Sequence, residues 1–139
     1  MFSFENLSVW QKAIAWSDDI FEITECLPQR WQFSFGEQLR RACLSVSNNL
    51  AEGSGRRTPA YQRNFYDIAR GSVFEVVNIL VLLKRRDLVN DIAYSTLYKQ
   101  AEELSALIYR LIQAANESEV KGRVLREDAE SYGTFNDAE

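Results

Sequence analysis

A chain of 139 residues with 46% hydrophobic content is long enough for one respectable core and leaves little room for a second. Its formal charge of −4 exerts no global pull toward nucleic acid, and it has no histidine, so no ordinary side chain titrates near neutrality without a shifted pKa. That composition argues against hydrolytic chemistry. Cys26 and Cys43 lie in unrelated segments without C-x-x-C spacing, which points to buried reduced thiols rather than a disulfide or metal site. The opening stretch MFSFENLSVWQKAIAW has no basic head before an apolar run, and the longest apolar run, VVNILVLLK, falls far short of the roughly 20 residues of a membrane span. A cytoplasmic protein with no membrane span, cofactor or metal is expected.

In chain order, a first helix is predicted from near Asn6 or Ser8, with Val9, Ala13, Ile20 and Leu27 inward and Trp10, Ile14 and Phe21 beside them, until Pro28. The second predicted helix starts at a capping box, Ser34 with Glu37, and turns Phe35, Leu39, Ala42, Val46 and Asn49 inward, flanked by Cys43 and Leu50. Thr58 and Pro59 form an N-cap and first-turn pair for a third helix reaching about Arg86, with Phe65, Ala69, Ser72, Val76, Ile79 and Leu83 inside. A fourth, from about Asp91 to Ala115, repeats Leu97, Ala101, Leu104, Ile108, Leu111 and Ala115 as a heptad seam. The predicted fold is therefore all-α, an up-down-up-down four-helix bundle over residues 1–118. Residues 119–139 read as an acidic, polar C-terminal extension, partly disordered or with one short helix at VKGRVLREDAESY.

Three ordered stretches, FENLSVWQKA at 4–13, QLRRACLSVSNNLAEGSGR at 38–56 and FYDIARGSVFEV at 65–76, resemble a known family. It is the four-helix bundle family first noticed as reading frames inside intervening sequences of bacterial 23S rRNA genes. The resemblance covers roughly residues 4–115, with Ser47 at the family's small-or-proline position and Leu50 at its isoleucine. It implies kinship with the accessory variability determinants of diversity-generating retroelements, which are basic pentameric barrels that bind a reverse transcriptase and nucleic acid.

The stretch SVSNNLAEGSGRR resembles an anion loop, but its glycines follow a helix rather than a strand and no lysine reaches toward a phosphate. A hinge is expected instead, with Gly53 or Gly55 left-handed at the helix end. Asn49, on the inward stripe, is expected to be a register key inside a structural polar network with Glu52, Arg70, Ser72 and Glu75, with Glu52 near Arg63 and Arg41 near Glu75. No nucleophilic triad is present in the pattern. Tyr61, Tyr66, Val73, Phe74, Val77 and Val81 widen the apolar surface of the third helix beyond one stripe, which suggests an oligomer interface.

Residues 30–86 hold ten basic side chains against four acidic ones. Arg56, Arg57 and Arg63 fall at one end of the bundle, and Arg40, Lys84, Arg85 and Arg86 toward the other, with Arg41 nearby. Repeated around a homo-oligomer, a pentamer by resemblance, these clusters would form a basic collar for a reverse transcriptase, RNA or DNA. The expectation is a non-enzymatic interaction module of retroelement-accessory type. The alternatives are a passenger of an rRNA intervening sequence without nucleic-acid binding, and a small enzyme with an arginine-rich pocket, which the lack of histidine disfavours.

Overall fold

The computed structural model describes the backbone of residues 1–136 and the side-chain surroundings of residues 1–132. A single 3-10 turn, Ser3–Asn6, leads into helix α1, Ser8–Glu25. Val9, Ala13, Trp16 and Ile20 recur at heptad spacing and are all buried. Trp16, absent from the expected stripe, is fully buried, and its indole N–H donates to the Leu97 carbonyl at 3.2 Å, tying α1 to the last helix.

Pro28, in extended conformation with φ −54° and ψ 148°, separates α1 from one α-helical turn, Gln29–Trp31. A wide π-turn, Gln32–Gly36, then flows directly into α2, Glu37–Ser54. Ser34 and Glu37 therefore form no capping box. The preceding helical turn already supplies carbonyl partners, so the start of α2 has few orphan amides to cap. The Ser34 hydroxyl donates to the Trp31 carbonyl at 3.3 Å, and Glu37 pairs with Arg41 one turn on at 3.1 Å. It is Gln32 that works as a cap, on the other side: its amide nitrogen reaches the Thr24 and Leu27 carbonyls at 2.7 and 2.9 Å and satisfies the frayed end of α1.

Helix α3, Pro59–Arg85, begins as expected, with the Thr58 hydroxyl accepting from the Tyr61 amide. The turn before it is a hinge without a left-handed glycine: Gly55 has φ −86°, and no described glycine has positive φ. Gly53 serves through its missing side chain. A Cβ there would lie 2.7 Å from the Tyr66 ring, so only glycine lets α3 approach this closely. The left-handed residue is Asp87, with φ 55°, at the end of α3, where the Leu88 amide bonds back to the Leu83 carbonyl at 2.9 Å in a Schellman closure.

Helix α4 runs unbroken over Asp91–Asn136, with the Asn90 side chain accepting from the Ala93 amide at 2.8 Å at its start. The expected short helix and frayed tail beyond Asn116 are replaced by continuous helix. Polarity had suggested fraying, but Glu117 and Lys121, Glu119 and Arg123, and Arg126 and Glu130 all stand four apart, a spacing that supports helix. No proline interrupts it. The division expected after residue 118 coincides with no break in the backbone.

The four long helices close a ring: α1 packs on α2 and α4, and α3 on α2 and α4. The architecture is the all-α, up-down-up-down four-helix bundle that the heptad spacings imply. Its core is apolar, with Leu39, Val46 and Leu50 of α2, Val76, Leu80 and Leu83 of α3, and Leu97, Leu104 and Ile108 of α4 almost wholly enclosed. No helix among the described residues is long and apolar enough to cross a membrane.

Candidate functional site

Antiparallel packing sets the two ends of the bundle apart. One end carries the Gly55–Thr58 turn, the Ser3 hydroxyl 3.3 Å from that of Ser54, and the point where Arg63 meets α4. The other carries the π-turn, the end of α3 and the start of α4, joined by the Arg86 guanidinium 5.5 Å above the Phe35 ring.

The structure disperses the expected basic clusters. At the turn end, Arg63 is held by Asn116 and Glu119 at 2.9 and 2.6 Å, because α4 continues far enough to present both. Arg56 lies over Phe65 at 4.6 Å, and Arg57 is exposed. At the opposite end Arg40 folds onto the side chain and carbonyl of Gln32, Lys84 pairs with Asp91, and Arg85 is exposed. The anticipated pairs of Glu52 with Arg63 and of Arg41 with Glu75 do not form: nearer carboxylates, Glu119 and Glu37, hold the two arginines.

The expected polar network also divides. Asn49 is half-buried rather than on the core stripe, and donates to the Ser45 carbonyl and hydroxyl at 2.7 and 3.0 Å. The Ser72 hydroxyl, on α3, lies 2.8 Å from the Ser45 hydroxyl, so Asn49, Ser45 and Ser72 make one chain of contacts across α2 and α3. Ser45, which the stripe did not single out, is the link. Glu52 and Glu75 are exposed, and Arg70 faces α4 instead.

Among the six apolar residues expected outside the α3 stripe, Tyr66 and Val73 are buried within the protomer, at 6% and 1% exposure. Helix α3 packs against both α2 and α4, so its inward arc is wider than a single stripe. Tyr61 and Phe74 are exposed, and Val77 and Val81 are half-buried. Phe74 and Val77 belong to a groove of about 440 Å³ between α3 and α4, completed by Tyr98, Ala101, Ala106 and Tyr109 of α4. Arg70 lies across its end, its guanidinium 4.8 Å from Phe74 and 5.5 Å from Tyr109, and its Nε is buried without a hydrogen-bond partner. The α4 aromatic residues were missed, although Tyr94, Tyr98 and Tyr109 fall on one flank of the heptad seam.

Cys26 is exposed, contrary to the expectation of two buried thiols, because it sits at the frayed end of α1. Cys43 is buried, and burial pushes its thiol from 9.0 up to about 11. No group of three or more His, Cys, Asp or Glu among the described residues is arranged to hold a metal ion.

The fold and these surfaces define a small helical-bundle protein with dispersed charge, an aromatic groove and a protruding last helix. The chain belongs to the 23S rRNA-intervening sequence protein family, whose pattern matches residues 5–110. It is also similar to the crystal structure, at 1.70 Å, of a protein of unknown function from the S23 ribosomal protein family of Bacteroides thetaiotaomicron. The TM-score is 0.70 and the identity 22%, over 76% of this chain and 95% of that one, a likeness of fold. No curated protein matches the chain.

Proposed function

We propose that this chain is a non-enzymatic, cytoplasmic interaction module that assembles with itself through the α3–α4 face. The observation that carries this is the groove around Phe74. Phe74 and Tyr109 remain 53% and 50% exposed beside Val77 and Tyr98, on a surface where a monomeric bundle favours polar residues. Arg70 supplies a charged residue at the rim of an aromatic patch, a combination enriched at protein interfaces. Resemblance to the pentameric retroelement accessories sets five as the expected subunit number. Light scattering at micromolar concentration is expected to show an oligomer, and Phe74→Glu to lower its mass. A monomeric unmodified chain, or an unchanged mass in the variant, overturns the reading.

A more specific form of this proposal is the retroelement-type accessory role, with a reverse transcriptase or nucleic acid bound at the turn end. Its support is that Arg56 and Arg57 are exposed at one end of the bundle, where a ring would repeat them. Binding of labelled RNA and duplex DNA, followed by anisotropy, is expected to weaken steeply with salt and to be lost in the Arg56→Glu, Arg57→Glu double variant. No binding even at low salt favours the passenger alternative.

A further inference from the structure

Beyond Glu119, the last residue of α4 tied to the bundle by an ion pair, the helix continues through Asn136. At 1.5 Å per residue this overhang is about 25 Å long. Leu125 and Tyr132 on it are 68% and 77% exposed. The core seam of α4 does not stop where the bundle does. After Leu104, Ile108, Leu111 and Ala115, the alternation of three and four residues continues through Ser118, Gly122, Leu125, Ala129 and Tyr132. Such a seam specifies a partner helix, and inside the overhang no other helix of this chain covers it.

We propose that the overhang is a self-complementary docking helix that pairs antiparallel with the overhang of a second copy of this chain. Its flanking charges identify that occupant and its direction. Lys121 precedes Gly122 and Asp128 precedes Ala129, so both lie on the same flank of the seam. Antiparallel pairing brings that flank against itself. With Gly122 packed against Leu125 and Ser118 against Ala129, Lys121 faces the second copy's Asp128, and two-fold symmetry forms the pair twice. The opposite flank repeats the pattern with Glu119 and Arg126. Parallel pairing would bring opposite flanks together and set Lys121 against the second copy's Arg126, a repulsive pair also formed twice. Small residues at 118, 122 and 129 allow close approach around Leu125.

This pairing is independent of the α3–α4 face and is tested with that face disabled. Sedimentation equilibrium of the full chain carrying Phe74→Glu is expected to show a dimer forming between micromolar and near-millimolar concentration. Lys121→Glu is expected to weaken it about tenfold, the effect of two exposed ion pairs turned repulsive, and adding Asp128→Lys to restore it. Leu125→Asp, at an exposed site, is expected to give a monomer with unchanged helicity and melting temperature. A Phe74→Glu chain that stays monomeric throughout overturns the proposal. So does a Lys121→Glu variant that associates equally or more tightly, the latter being what parallel pairing requires. Because the Lys121 and Asp128 variants leave the α3–α4 groove intact, failure here and failure of the self-assembly reading give different patterns of mass.

Discussion

Cys43 and Cys26 illustrate how strongly the chemistry of a side chain depends on its place in the bundle. Cys26, exposed at the end of α1, is expected to react with a thiol reagent in the native protein, whereas Cys43 reacts only on unfolding; counting labelled sites with and without denaturant checks this. A thiol raised from 9.0 to about 11 holds its proton more tightly when folded. The resulting stability is complete below pH 9 and is lost as pH rises toward 11, by up to about 1.4 kcal/mol per pH unit. Cys43→Ala is expected to flatten this alkaline slope in denaturant titrations, leaving the part due to Tyr66, whose hydroxyl is also raised by burial. The two glycines of the hinge differ in the same concrete way. Gly53→Ala puts a Cβ 2.7 Å from the Tyr66 ring and is expected to destabilise by about 1–3 kcal/mol. Gly55→Ala meets nothing closer than 3.6 Å at φ −86° and is expected to be neutral or slightly stabilising in the same chemical melts.

At the scale of elements, α4 is two things in succession. Up to Ala115 it is a wall of the core, and beyond Glu119 it is an exposed rod whose removal takes away little buried surface. A chain ending at Val120, which keeps Asn116 and Glu119 for Arg63, is expected to melt within about 1 kcal/mol of the full chain, since exposed residues contribute little to stability. Trp16 shows the opposite case. It is fully enclosed and bonded to the backbone of α4, so Trp16→Ala is expected to cost about 3–5 kcal/mol, enough to unfold a small domain in part at ambient temperature. The end of α3 contains a further adjustable point: Asp87→Gly relieves a left-handed non-glycine residue, and thermal melts are expected to show a small gain.

For the molecule as a whole, no excess of one charge dominates, because most of the basic residues are folded onto their own surface by Gln32, Glu37, Asp91, Glu119 or an aromatic ring. Self-association through the α3–α4 groove would make stability depend on concentration by mass action. The melting temperature is therefore expected to rise as the protein is concentrated, and Phe74→Glu to reduce that rise; differential scanning fluorimetry over a dilution series reads both. A melting temperature independent of concentration in the unmodified chain would contradict the assembly.

The sequence by itself determined the helices and their inward faces wherever apolar residues repeat at three and four, as at Val9, Ala13 and Ile20 or along Leu97 to Ala115, because burial of one stripe is a local, periodic requirement. It also determined the Thr58–Pro59 start of α3, since an N-cap and a fixed φ act within one turn. Only the tertiary structure decided which helix faces count as outside. Tyr66 and Val73 lie off the α3 stripe and are still buried, because α2 and α4 both press on that helix. The need for Gly53 arises from a ring one helix away, and the partner of Arg63 lies 56 residues further on. The candidate groove shared this limit. Phe74 was legible on α3, but Tyr98 and Tyr109 joined it only when α4 packed alongside, since a groove between two helices is a property of neither alone.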